Sequence, residues 1–159
     1  MDLETGDRLI ISSNLEGSGP PMTSPHNVEF LSATSVLLTD RTENLLVRLD
    51  VNTGVRTVVS GGGVGSGDAL NFPFDLVVSP AGTEAIISNL GTQTLLSINL
   101  SNGARTTIHT FDQNLAVPTQ FPIYIEGLGD GRILESQVSE GLLSLFNPET
   151  STRTFLLAE

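Results

Sequence analysis

The feature that most constrains this chain is an internal repeat with a period of about 48 residues. A motif of Asp or Asn, three residues, Gly (Ser in the last copy), one residue and Arg occurs as DLETGDRLIIS, DVNTGVRTVVS, NLSNGARTTIH and NPETSTRTFLL. These copies begin at Asp2, Asp50, Asn99 and Asn147, which places Arg8, Arg56, Arg105 and Arg153 in register. A tripeptide GSG at 17–19 and 65–67 keeps the same spacing. We therefore predict one repeat domain over residues 1–159.

The local signals inside one repeat are those of strands. FDLVVS (74–79), EAIISN (84–89), TLLSINL (94–100) and ARTTIH (104–109) are short, rich in β-branched residues and separated by turn residues. No segment keeps apolar residues at helical spacing over the length that a helix needs. Four short antiparallel strands per repeat are typical of a β-propeller blade. The predicted fold class is therefore all-β, built from propeller blades.

The repeat divides the chain into three four-stranded antiparallel blades at 27–60, 74–109 and 123–158. An extra outer strand is predicted before them at 7–12. In each blade the motif forms the hairpin between the third and fourth strands, where Gly supplies a positive φ. The recurrent Arg then lies on the outermost strand, and we expect its charge to protect an exposed sheet edge.

The glycine run GGGVGSGD, which starts at Gly61, raises the question of a phosphate-binding loop. A dinucleotide fingerprint needs G-x-G-x-x-G between a strand and a helix, and this run lacks that spacing. A P-loop needs Lys, and the chain has none. We interpret the run as a flexible crossing between two blades.

Composition narrows the classes of partner. The net charge of −11 disfavours binding to nucleic acid, which needs a basic surface. No apolar run approaches the length of a membrane span. Cysteine is absent, which excludes disulfides and thiolate metal sites. The lack of Lys beside abundant Thr, Ser and Gly favours an exported bacterial parent.

Candidate binding residues come from aligning the repeats. The starts of the innermost strands place Asn27, Asp75 and Tyr124 at one equivalent position, and Glu29 and Glu126 at another. Loops on a rigid scaffold commonly carry function. We expect the channel mouth to bind a small-molecule or protein ligand through His26, Asn27, Asp75, Tyr124, Asp40, Asn89 and Gln137. The alternative is that these side chains make turns and satisfy backbone groups.

The same acidic positions suit a hard cation such as Ca²⁺, because its ligands are carboxylate and amide oxygens. The predicted metal-binding residues are Glu29, Asn27, Asp75 and Glu126. No G-x-S-x-G nucleophile elbow occurs, and a catalytic triad would have to use His26. The motifs therefore predict no catalytic residue.

The units LLVRLDVNTGVRTVVSGGGVGSGDALNFPFDLVVSPAGTEAIISN and TLLSINLSNGARTTI resemble repeats of the TolB-like and NHL-like six-bladed β-propeller superfamily. The resemblance implies a ring of six blades. It also implies a relation to lactonase-type members of that superfamily, which bind a divalent metal at the channel mouth with Glu, Asn and Asp. Glu29, Asn27 and Asp75 match those ligands in type.

Three blades are too few for a closed ring of four to eight. Two blade flanks would stay uncovered, and a homodimer of three plus three blades would cover both. In that pair the strand 7–12 would clasp the partner's last blade, in competition with residues 152–158. The predicted function is a non-enzymatic binding module. The alternatives are a metal-dependent lactonase- or esterase-like hydrolase and a fragment of a longer propeller.

Overall fold

The computed structural model describes residues 4–111, 124–137 and 141–156, and within these ranges the chain forms strands and turns without a helix. No described element is a helix long and apolar enough to cross a bilayer. The strands, in chain order, are β1 (Pro25–Ser32), β2 (Ser35–Asp40), β3 (Leu45–Asp50), β4 (Arg56–Ser60), β5 (Pro73–Val78), β6 (Glu84–Asn89), β7 (Thr94–Asn99), β8 (Arg105–Thr110), β9 (Tyr124–Gly127), β10 (Ile133–Gln137), β11 (Leu142–Asn147) and β12 (Thr152–Leu156).

The strands form three antiparallel four-stranded sheets: β1 to β4 (blade one), β5 to β8 (blade two) and β9 to β12 (blade three). Consecutive strands are neighbours in every sheet, so each blade is a simple meander. This confirms the predicted all-β fold of three four-stranded propeller blades. Strand and turn signals in the sequence were enough to predict the blades, because each blade is made of hairpins between consecutive strands.

Blade two is covered on both faces. One buried cluster joins it to blade one and includes Leu37, Leu46, Leu76, Ile87, Leu96 and Ile98. A second cluster joins it to blade three and includes Val77, Ile86, Leu95, Ile125, Ile133 and Phe146. Successive side chains of a strand point to opposite faces, so Leu76 and Val77 serve different clusters. A blade of this sequence therefore has two apolar faces, and each needs a neighbour.

Residues 7–12, which are predicted to form an outer strand, carry no strand in the single chain. Leu9 and Ile10 are 84% and 69% exposed. A strand needs a hydrogen-bonded partner, and no described strand pairs with this segment. The repeat assigns this segment to a blade that would precede blade one, so its strand partner does not lie in blades one to three.

The glycine run between blades one and two makes close backbone contacts at Gly65 and Gly67, which its interpretation as a flexible connector did not include. Gly65 and Gly67 have φ of +74° and +97°. A Cβ at either one would overlap a backbone carbonyl oxygen, that of Gly103 or that of Arg105. The earlier GSG repeats this relation, with Gly17 against the Gly54 carbonyl. Glycine is therefore required here by close backbone approach as well as by φ.

The recurrent arginine also has a different role from the one predicted. Arg56 is buried, and its Nε donates to the Pro20 carbonyl at 2.8 Å. Its Nη1 donates to the carbonyls of Ser13 at 2.8 Å and Glu16 at 3.2 Å, and to the Ser12 hydroxyl. Arg56 therefore fixes the segment that leads into its own blade. Protection of a sheet edge was the wrong expectation for this side chain.

Arg105 repeats this clamp one blade later. Its Nη1 donates to Val64 O at 3.0 Å and to Ser60 Oγ at 2.9 Å, and its Nε to Asp68 O. In blade three Arg153 departs from the pattern, because its Nη2 lies 2.8 Å from Oε2 of the buried Glu135. The repeat thus supplies one guanidinium for each blade, and blade three uses it on a buried carboxylate.

Candidate functional site

The innermost strands β1, β5 and β9 lie side by side and bring their first residues to one face, the channel face. A cleft of about 310 Å³ opens there. It is lined by Asn27, Glu29, Asp75, Tyr124 and Glu126, with Leu76, Ile125, Leu134, Ser136 and Leu143. The structure therefore brings together the predicted metal-binding residues and Tyr124. His26 and Phe74 lie next to this cleft along β1 and β5.

Asp75 is the buried carboxylate of the cleft. Its Oδ2 accepts a 2.7 Å hydrogen bond from the Ile125 backbone N–H, and its Oδ1 accepts one from Leu76 at 3.0 Å. Burial raises the pKa of the Asp75 carboxyl, and these two hydrogen bonds oppose that shift. The bond to Ile125 ties blade two to blade three. Asp75 therefore has a structural role whatever the cleft binds.

Glu29 and Glu126 give the cleft its negative charge. Partial burial raises the pKa of Glu29, and the nearby carboxylates of Glu126 and Asp75 raise it further. The lining residues include no arginine to balance these charges. The cleft as described therefore favours a cationic or neutral ligand over an anion.

This arrangement predicts the effect of Glu29→Gln on stability. The folded pKa of Glu29 is raised, so its ionised form destabilises the fold above that pKa, and the penalty is lost as pH falls towards the unfolded value of about 4.3. The variant should melt at a higher temperature than the parent near pH 7, and the difference should shrink near pH 4. Thermal unfolding followed by circular dichroism across this range measures it. A lower melting temperature at every pH would show that the ionised Glu29 makes a favourable contact.

A row of aromatic rings borders the acidic cleft. The His26 and Phe74 ring centroids are 3.6 Å apart, and Phe74 meets Tyr124 edge-on at 5.7 Å. Tyr124 is exposed on this face. Sequence reasoning missed Phe74 as a site neighbour. Its position gave a signal, because it precedes Asp75 as His26 precedes Asn27.

Asp40 and Asn89 lie outside the cleft and hold loops. Asp40 Oδ2 accepts from the backbone N–H of Thr23 at 2.8 Å and Ser24 at 3.1 Å. Asn89 Oδ1 accepts from Asn71 N at 2.8 Å. Each therefore fixes the crossing segment that enters its own blade, the turn-making alternative noted for the sequence. The side chain of Gln137, at the end of β10, lies outside the described part of the structure.

The described residues contain no group of three or more Asp, Glu or His side chains placed to hold one metal ion. In the cleft both oxygens of Asp75 accept backbone hydrogen bonds. The calcium site on Glu29, Asn27, Asp75 and Glu126 stays a prediction.

No known family and no curated protein matches this chain. Solved structures match its fold. Virginiamycin B lyase from Staphylococcus aureus is 17% identical over 86% of this chain and 42% of that chain, with a TM-score of 0.61. A streptogramin B lyase is 18% identical over 89% and 43%, with a TM-score of 0.65. A chain of a nidogen/laminin complex is 13% identical over 86% and 49%, with a TM-score of 0.67.

These identities support a likeness of fold. The chain spans less than half the length of each of these proteins. Three antiparallel four-stranded sheets around a shared channel face, together with these matches, give the chain the β-propeller fold.

Proposed function

We propose that this chain is a non-enzymatic interaction module that completes a six-bladed ring of the TolB-like or NHL-like kind with a second copy of itself. The observation that carries the proposal is the state of the two terminal blade flanks. Val28 and Phe30 on blade one are 61% and 71% exposed. Leu143 and Leu156 are exposed on the outer flank of blade three. Apolar flanks of this kind at the ends of a stack are typical of an interface.

The repeat indicates what should cover these side chains. Val28 on β1 occupies the position of Leu76 on β5, and Leu76 is buried against blade one. By the same register Val28 faces the place of a preceding blade. Leu143 on β11 occupies the position of Leu95, which is buried against blade three. Leu143 therefore faces the place of a following blade.

A second copy supplies both missing neighbours. The solved propeller chains that match are more than twice the aligned length, so two copies of this chain fill a comparable ring. Two-fold pairing closes without leaving an open end, since blade one of each copy meets blade three of the other.

The channel cleft is the proposed ligand site of this module. In a paired ring each copy contributes Glu29, Asp75, Tyr124 and Glu126 to one channel. Their carboxylates and the exposed aromatic ring suit a cationic or neutral small molecule or protein segment. The metal-dependent hydrolase alternative has no assembled donor set within the described ranges to support it.

Phe30→Glu should abolish the pairing, because it places a charge on an apolar flank. Phe30 is exposed in the single chain, so we expect far-ultraviolet circular dichroism to stay that of a β protein. Leu15→Glu is the matched control, since Leu15 is 94% exposed and lies outside the flank. Sedimentation velocity at micromolar concentration should show one chain for Phe30→Glu and two for the control. Equal masses for both variants would contradict the proposed interface.

A further inference from the structure

The segment 7–12 lies where an outer strand of a preceding blade belongs. Ser12 Oγ donates to Gly54 O at 2.9 Å, as Ser60 Oγ donates to Gly103 O at 2.7 Å. Ser60 is the last residue of β4, the outer strand of blade one. The end of the segment therefore has the same relation to blade one that the end of β4 has to blade two.

Residues that follow the segment contact blade one as the crossing after β4 contacts blade two. A Cβ at Gly54 would overlap the Ile11 carbonyl oxygen, and a Cβ at Gly103 would overlap that of Val59. A parallel bridge joins Ser18 to Val55, and another joins Gly67 to Arg105. Residues 11–18 are thus held against blade one without any preceding blade.

Unlike β4, the segment has no sheet beside it. Val59 is buried, whereas Leu9, Ile10 and Ile11 are exposed. Three consecutive apolar side chains on an unpaired backbone can add to the edge of another sheet, because strand addition supplies the missing hydrogen bonds. The acceptor must be a blade that can take a new outer strand.

Blade three of a second copy fits that description, and this step rests on the proposed pairing. In the ring it is the blade that precedes blade one. Its own outer strand β12 keeps Phe155 and Leu156 exposed. The motif aligns Arg8 with Arg153, and Leu9 with Thr154. Since Thr154 pairs with Leu145, Leu9 would lie opposite Leu145 of the partner subunit.

Charge is compatible with this exchange. Glu135 is fully buried, and its counter-ion is Arg153 on β12. A buried carboxylate that loses its counter-ion is strongly destabilising, so β12 can be replaced only by a strand with a cation in the same register. Arg8 is that cation.

We propose that residues 7–12 of each copy replace β12 as the outer strand of the other copy's third blade, with Arg8 beside Glu135 of the partner subunit. The ring is then closed by exchanged strands as well as by the apolar flank residues Val28, Phe30 and Leu143, which lie outside β12. After the exchange, the outer backbone hydrogen-bond ladder of each copy's third blade forms only in the dimer.

Engineered cysteines test the exchange, since the natural chain has none. Leu9→Cys with Leu145→Cys should oxidise to a covalent dimer of twice the 16.8 kDa chain, while each single variant should not. The matched control is Leu145→Cys with Thr154→Cys, which pairs β11 with β12 inside one chain and should stay largely uncrosslinked in the exchanged ring.

The outcomes separate this inference from the proposed function. A reduced protein that is dimeric by light scattering, but whose Leu145 and Thr154 cysteines close within one chain, would overturn the exchange and leave the pairing intact. A monomer under reducing conditions would overturn both. A covalent dimer from the Leu9 and Leu145 cysteines alone supports the exchange.

Discussion

Gly65→Ala should lower the free energy of unfolding by about 3 to 5 kcal/mol, whereas Gly63→Ala should lower it by only about 1 to 2 kcal/mol. Both glycines have a positive φ, +74° and +93°, so both variants carry the strain of an L-residue in the left-handed region. Only Gly65 has a neighbour: its Cβ would overlap the Gly103 carbonyl oxygen, while Gly63 has open space. The difference between the two variants isolates the contact between crossing and hairpin.

Urea unfolding followed by circular dichroism measures both values. We expect the slopes to be unchanged and the midpoint of Gly65→Ala to fall much further. Equal losses in the two variants would mean that the crossing is loose, as its sequence alone indicates. The contact between blades one and two would then have to rest on the apolar cluster alone.

Arg56→Ala is the second variant for which we expect a large effect, a loss of about 2 to 4 kcal/mol. The side chain is buried and donates to the carbonyls of Ser13, Glu16 and Pro20. Truncation leaves these oxygens without their charged donor. Arg56→Lys should recover little of the loss, because an ammonium group cannot reproduce the planar fork that reaches several carbonyls at once.

Arg132→Ala is the control for Arg56. Arg132 is paired with Asp130 at 2.7 Å, but both side chains are about half exposed, so its removal should leave the unfolding midpoint nearly unchanged. Thermal and urea unfolding of the three variants should rank the parent and Arg132→Ala together, above Arg56→Lys and Arg56→Ala. A stable Arg56→Ala would show that the recurrent arginine is a surface charge after all.

The repeat predicted the blades well because their signals are local. Strand-forming runs such as EAIISN and turns such as Ser101-Asn102-Gly103 lie within a few residues of each other. The role of Arg56 could not be predicted in this way. Its acceptors lie 36 to 44 residues away in sequence, on the segment that leads into blade one. The glycines of GSG were misread for the same reason, since the atoms they approach belong to another hairpin.

The binding role of the candidate site residues stays a prediction. Aligning the repeats placed Asn27, Asp75 and Tyr124 at one equivalent position, and the structure brings these three residues to one cleft. The alignment could not show that Asp75 binds the backbone of the next blade, because that contact depends on how two sheets pack. Asp40, in contrast, accepts hydrogen bonds from four backbone N–H groups that are local. Two follow it in the next turn, at Thr42 and Glu43, and two lie just before blade one, at Thr23 and Ser24. The turn-making role of Asp40 could therefore be predicted from the sequence, because Asp side chains commonly accept hydrogen bonds from nearby backbone N–H groups.

Residues 7–12 form no strand in the single chain for a physical reason. Its sequence has the strand pattern of the other copies, but a strand exists only beside another strand. The repeat identifies the missing neighbour as a blade that this chain does not place there. The same absence exposes Val28 and Phe30.

The molar mass of the unmodified chain, measured by light scattering across a dilution series from micromolar concentration, tests the proposed ring of two copies. We expect twice 16.8 kDa at the upper concentrations and dissociation only on strong dilution. A stable particle of a single 16.8 kDa chain at every concentration, folded and with its two terminal flanks in water, would contradict it.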